Sequence, residues 1–266
     1  MLFIHIFIFI NIYLLLLFDI SIDLIVHPYM RTQGKIEQGI ETKDIVDSIT
    51  KVFSRLHVLV VGPGLSRDKI MQDTARQLIY NARQQNMAIV IDADGLFLVQ
   101  QHPDTIKDYK KAVLTPNVVE FKRLCESMNV KVSDDNKGTS AKQLSSALGG
   151  VTVVQKGSND IIANEDHLFI SDHPGGVKRM GGQGDILSGL IATFLAWGKG
   201  YEENLWEHDH SIDTKDLSAY ASWCACTIVR ESSRLAFEKY KRSVLTSHML
   251  EEIGNSYNSF VDGILN

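Results

Sequence analysis

Apolar residues along this chain fall into short blocks, separated by stretches in which they recur every three or four positions. Short apolar blocks suit strands buried on both faces, and the spaced stretches suit helices laid against them. The pattern therefore predicts a layered α/β fold: a mostly parallel central sheet flanked by helices. The first clear block, 57–61, runs into Gly62-Pro63-Gly64 and reads as a strand followed by a tight turn. After it Ile70, Met71, Ala75, Leu78, Ile79 and Ala82 recur at helical steps. That helix runs to about Gln85, with Ser66 placed to cap it.

Further strands are expected at 87–91, ending in Asp92-Ala93-Asp94-Gly95, and at 112–114, ending in Thr115-Pro116-Asn117. Pro116 disfavours helix at Thr115, so the next helix starts at a cap on Asn117 and carries Glu120, Phe121 and Leu124. A strand at 151–154 leads to Gln155-Lys156-Gly157, and 160–163 with 167–170 reads as a hairpin, which makes the sheet mixed at one edge. Three helices complete the pattern: an apolar one at 186–197, a longer one at 216–237 and a last one at 244–260. There is no internal repeat and no low-complexity linker, so residues 19–266 are expected to form one domain.

Residues 1–18 stand apart: almost wholly Ile, Leu and Phe, interrupted only by His5, Asn11 and Tyr13. As a helix they would cover roughly 27 Å at about 1.5 Å per residue, the short end of what crosses a ~30 Å hydrocarbon core. No basic residue precedes the run, the first being Arg31, and no small-residue cleavage pattern follows it. The segment is expected to lie outside the domain, with membrane contact only if it inserts and a cytoplasmic location otherwise.

The chain has 266 residues, 44% hydrophobic and 22% charged, which excludes disordered, collagenous and all-membrane classes. Lys and Arg number 27 against 32 Asp and Glu, so no basic excess exists to neutralise a nucleic-acid backbone. Cys125, Cys224 and Cys226 are too few and too unevenly spaced for a disulfide framework, and read as reduced thiols.

The most informative stretch is Gly175-Gly176-Val177-Lys178-Arg179-Met180-Gly181-Gly182-Gln183-Gly184-Asp185, just before the apolar helix. Glycines let successive backbone N–H groups turn toward one anion, and the helix start adds its own unpaired donors. Asp185 would repel a phosphate if binding were its only task, so it is a candidate to accept a proton from a substrate hydroxyl. The bland alternative, an ordinary turn with Asp185 complementing the helix dipole, weighs equally at this point. Lys156-Gly157-Ser158-Asn159-Asp160, at a strand end, either touches a nucleotide or makes a solvated hairpin corner. Asn117 and Glu120 either position a hydrated Mg2+ through oxygen or cap a helix. Asp92 and Asp94 either hold polar ligand groups or make a turn.

Taken in order, Val60-Val61-Gly62-Pro63-Gly64, Ile91-Asp92-Ala93-Asp94-Gly95, Leu114-Thr115-Pro116-Asn117 with Glu120, Lys156-Gly157 and Gly181-Gly182-Gln183-Gly184-Asp185 resemble the ATP-dependent NAD(P)H-hydrate dehydratases of the ribokinase-like superfamily. The resemblance covers about residues 23–260. It implies repair of the (6S)-hydrates of NADH and NADPH, in which ATP with Mg2+ phosphorylates the added hydroxyl and phosphate then leaves. It further implies that Asp185, Gly182 and Gly184 carry the chemistry. Lys156, Gly157, Ser158, Asn159 and Asp160 would contact ATP, as would the whole run 175–184. Gly64, Asn117, Val118, Val119, Glu120, Phe121, Lys122, Arg123 and Asp185 would contact the hydrate, with Glu120 reaching Mg2+ through water. Members of that family carry a further N-terminal portion before the segment matching Asp23-Leu24-Ile25-Val26-His27-Pro28, so the chain looks shortened. Two other readings fit the same residues: a ribokinase-like small-molecule kinase, or an inactive shortened or membrane-tethered form.

Overall fold

The computed structural model describes residues 6–8, 27–35, 41–133 and 138–265. Most of the apolar run, residues 1–5 and 9–18, lies outside them, as do residues 23–26. Among the described residues seven strands form one sheet in chain order: β1 (Ile6–Ile8), β2 (Val58–Val61), β3 (Ala88–Ile91), β4 (Ala112–Leu114), β5 (Thr152–Gln155), β6 (Asp160–Ala163) and β7 (Leu168–Ser171). β1 to β5 are parallel, whereas β6 and β7 are antiparallel and form the expected hairpin edge. Three residues of the apolar run are thus not separate from the sheet. Ile6–Ile8 pair with Val58, Leu59 and Val60, because the open edge of a buried strand is completed by any β-forming run that reaches it. Among the described residues no helix is long and apolar enough to cross a membrane.

Side chains of the central strands alternate between two cores, the period-two consequence of the pleat. Leu59, Val61, Ile89, Ile91, Leu114 and Val153 face one core, shared with α1 (Thr42–Thr50), α2 (Lys69–Gln84), α3 (Asp94–Gln101), α4 (Val118–Ser127) and α5 (Thr139–Ala147). Val58, Val60, Val90, Val113, Val154 and Ile162 face the other, against α6 (Gln183–Glu202) and α7 (Leu217–Tyr240). Burial on both faces explains why these strands read as unbroken apolar blocks. A third, smaller cluster of Ile186, Ala236, Val244 and Met249 seats α8 (Thr246–Leu265) against α6 and α7.

Helix α2 starts two residues later than the sequence suggests. Its cap is Asp68, whose carboxylate accepts from the N–H groups of Ile70 at 3.0 Å and Met71 at 3.2 Å. Ser66 instead takes a left-handed turn with φ 68°. The carboxylate carries charge to the positive helix end, where a hydroxyl offers only a dipole. The cap at Asn117 is as expected and is completed by Glu120: Asn117 accepts from Val119 and Glu120, and Glu120 accepts from the Asn117 N–H at 2.8 Å.

Because β2 to β5 are parallel, Gly62, Asp92, Thr115 and Lys156 all emerge at one edge. Gly62 has φ 125°, and a Cβ there would lie 1.7 Å from the Asp92 carbonyl oxygen. Gly62→Ala should therefore cost about 3 kcal/mol or more in urea unfolding. At Gly181 a Cβ meets nothing within 4 Å, so Gly181→Ala should change stability by under about 1 kcal/mol.

Candidate active site

The strand ends open onto a cleft of about 710 Å³ between the β5–β6 hairpin, the loop 172–182 and the helices α6 and α7. Much of the stretch expected to meet a nucleotide lines it: Lys156, Gly157, Ser158 and Asp160 on one wall, and residues 175–180 with Gln183 and Gly184 on the other. Asn117 and Val118, expected on the substrate side, line it as well. Asn159, Gly181 and Gly182 do not, nor does Asp185.

The floor is the N-terminus of α6. Its cap residue, Gly182, is left-handed with φ 89° and supplies no side-chain cap, unlike Asp68 of α2 and Asn117 of α4. The first-turn N–H groups thus receive no side-chain cap, and an uncapped helix end of this kind can accept an anion, to which it adds positive potential. Glycine is needed elsewhere on the same loop for closeness: at Gly176 a Cβ would fall 2.5 Å from the Ser233 carbonyl oxygen on α7.

Several charged side chains expected to touch ATP are occupied with holding the walls. Lys178 donates to the carbonyls of Arg242 at 2.8 Å and Val244 at 2.9 Å, which ties the glycine-rich loop to the connection before α8. Gln183 accepts from the Met180 N–H at 3.3 Å, and Thr246 donates to the Gly181 carbonyl. Asp160 accepts from the Gly157 N–H at 2.9 Å and from Arg230 Nε at 2.8 Å. Arg179 is exposed, with no partner among the described residues.

Arg230 is the principal residue that sequence reasoning missed. From α7 it pairs with Asp160, donates to the Gly157 carbonyl at 3.2 Å and to the His173 carbonyl at 3.4 Å, and so joins both walls of the cleft. The signal was there: an arginine on a helix whose neighbouring positions are small and buried, such as Ala225, Cys226 and Ser233. His173 pairs with Glu231 at 2.8 Å. Arg234, first, and His173 hold the Glu231 carboxyl down at about 2.

Asp185 stands in the first turn of α6, exposed, beside the cleft rather than in its lining. Next to it Gly184 reaches the cleft, and a Cβ on Gly184 would lie 3.3 Å from Asp92 Oδ2 and 3.5 Å from Lys156 Nζ. Asp92 is buried, and its Oδ1 accepts from Lys156 Nζ at 2.9 Å. Partial desolvation, then repulsion from Asp92, pushes the Asp185 carboxyl above its ordinary value, while Lys156 pulls the other way. A carboxylate that holds its proton more tightly is a better proton acceptor.

The remaining substrate-side expectations divide. Gly64 is exposed on the turn after β2, and Val119, Lys122 and Arg123 are exposed on α4. The Phe121 ring is fully buried in the first core, so its side chain does not reach the crevice. Glu120 and Arg123 instead border a smaller hollow of about 130 Å³ with Arg67, Asp94 and Phe97. The Glu120 carboxylate already closes the α4 capping box, and among the described residues no three His, Cys, Asp or Glu side chains are grouped to hold a metal ion. This donor set does not fit a magnesium ion held by the protein itself.

Comparison with known proteins follows the same lines. Residues 12–255 match the family model described as NAD(P)H-hydrate dehydratase. The ATP-dependent (S)-NAD(P)H-hydrate dehydratase of Phaeosphaeria nodorum is 40% identical over 237 residues, 89% of this chain and 73% of that protein. The protein of the same name from Batrachochytrium dendrobatidis is 42% identical over 252 residues, covering 91% of this chain and 77% of its own length. Among solved structures, a ribokinase-like superfamily protein of Enterococcus faecalis superposes with a TM-score of 0.58 at 19% identity, over 81% of this chain and 68% of that one, which shows the shared fold. On the extent of the family match and the identity to these relatives, the chain belongs to the NAD(P)H-hydrate dehydratase family.

Proposed function

We propose that this chain is an ATP-dependent lyase that dehydrates the hydrates of NADH and NADPH, returning the reduced dinucleotides. The observation that carries this reading is the match of residues 12–255 to the family, with relatives of that activity about 40% identical across nine-tenths of the chain. The cleft supports it chemically. The nucleotide lies between the β5–β6 hairpin and the glycine-rich loop, with its terminal phosphate at the uncapped start of α6, where backbone donors are fixed before the charge develops. Lys156, Gly157 and Ser158 face it from one wall, and Gly175, Gly176, Val177, Arg179, Met180 and Gly184 from the other.

The hydrate enters from the Gly64 and α4 side, placing its hydroxyl at Asp185. The carboxylate takes the hydroxyl proton as that oxygen attacks the terminal phosphorus, and the bond to ADP breaks. The carbon–oxygen bond then breaks, inorganic phosphate departs, and loss of a proton from the neighbouring carbon restores the ring double bond. A divalent cation would supply charge neutralisation on the phosphates, arriving with the nucleotide rather than in a protein cage. The exposed apolar side chains of Val118 and Val177 at the mouth give the adenosine moiety a surface that excludes water.

Incubated with ATP, Mg2+ and hydrated NADH, the purified chain should restore the near-ultraviolet absorbance of the reduced ring and release one phosphate per turnover. A stable phosphorylated product in place of free phosphate would identify a kinase instead. Asp185→Asn should lower kcat by about a thousandfold, the usual worth of a positioned base. The fold raises the proton affinity of Asp185, so its ionised form is a cost to the native state above that raised value. The variant should consequently melt no lower than the parent at neutral pH.

A further inference from the structure

Asp92 is buried to 3% exposure at the end of β3, yet it sits beside the start of α6 rather than in either core. Its Oδ1 accepts from its neighbour's backbone, the Ala93 N–H, at 2.9 Å and from Lys156 Nζ at 2.9 Å. Its Oδ2 is turned to Gly184, where only a hydrogen separates the α6 backbone from the carboxylate. A buried ion pair of this kind is weak evidence for stability, because desolvating two charges consumes most of what their attraction returns. An apolar pair would have served the fold as well. Its placement therefore asks for another reason, and the reason is what it faces.

We propose that Asp92 is a positioning residue for the dehydratase reaction: it pins the Lys156 ammonium against the first turn of α6 and acts as the electrostatic partner of Asp185. This rests on the function proposed above and assigns a role to a residue outside the nucleotide and hydrate contacts. Two charged groups act on Asp185 from the elements packed against it, Asp92 at the end of β3 and Lys156 at the end of β5, with opposite signs. With Asp92 ionised beside it, Asp185 gains by taking up a proton, since protonation removes a like-charge repulsion. Lys156, held by Asp92 beside Gly184, remains aimed at the phosphate site rather than folding onto Asp185.

The signs make the inference testable. Asp92→Asn removes the repulsion and frees Lys156 to act on Asp185, and both changes lower the pH at which Asp185 titrates. Lys156→Gln removes the attraction and raises it. Two readouts are to be measured for parent and variants: carboxyl carbon NMR of Asp185 in ligand-free protein, and the pH dependence of kcat/KM with hydrated NADH. The expected result is an NMR midpoint and an acid limb displaced to lower pH in Asp92→Asn and to higher pH in Lys156→Gln. An aimed charge-assisted hydrogen bond lost from Lys156 should also raise the KM for ATP about tenfold in Asp92→Asn. Loss of activity with midpoint and limb both unmoved would overturn the inference and leave a structural ion pair. Should Asp92→Asn fail to fold, the sign of the Lys156→Gln displacement decides. Should the parent show no turnover, the dehydratase reading fails while the NMR titration still decides the electrostatic partnership.

Discussion

The ends of β2 and β3 approach so closely that nothing larger than hydrogen fits between Gly62 and the Asp92 carbonyl. Two hydrogen bonds fix that junction, from the Asp92 N–H to the Val61 carbonyl and from the Gly95 N–H to the Asp92 carbonyl, at 3.0 and 2.9 Å. The chain turns into α3 immediately afterwards, and Ala93 adopts φ 48° to make the turn. With its backbone held on both sides, Asp92 turns its side chain toward Lys156 and the start of α6. The reacting edge of the molecule is therefore set by backbone steric limits before any charge is considered.

Around that edge the cationic side chains divide their work. Arg230 joins the hairpin to the loop, Lys178 ties the loop to the connection before α8, and Lys156 pairs with Asp92 beside the start of α6. On the proposed function, recognition of a polyanion would fall to fixed amide donors at a helix end more than to mobile ammonium groups. Fixed dipoles need not reorganise when charge shifts during phosphoryl transfer, which is the advantage of building such a site from backbone.

The central strands were legible because burial on both faces leaves four-residue apolar blocks such as 58–61 and 88–91, and the Asn117 cap because its partner Glu120 lies three positions on. The cap of α2 was not, since Ser66 offers a capping oxygen two positions early, whereas the chain turns left-handed at Ser66 and Asp68 brings a charged carboxylate to the helix end. Ile6–Ile8 could not be separated from the apolar residues around it by pattern alone. On the site side, the glycine-rich stretch stood out by residue type and most of it lines the cleft, whereas Asp185 lies beside it. Arg230 did not stand out, because its partners Asp160 and His173 lie 70 and 57 residues away in sequence. The reverse holds for Glu120 and Phe121, which carry a suggestive spacing yet are used by the local cap and the core.

The tether between the glycine-rich loop and the last helix has a wider meaning. Lys178 grips the carbonyls at 242 and 244, Thr246 grips that of Gly181, and Gln183 donates to Met249 Sδ at 3.5 Å. The glycine-rich wall of the cleft is thus braced by α8 and the connection before it, which follow the rest of the pocket in sequence. Linkage would make the dependence mutual: a nucleotide bound in the cleft would steady the docking of that helix, and whatever peels the helix away would be felt as a weaker hold on the nucleotide.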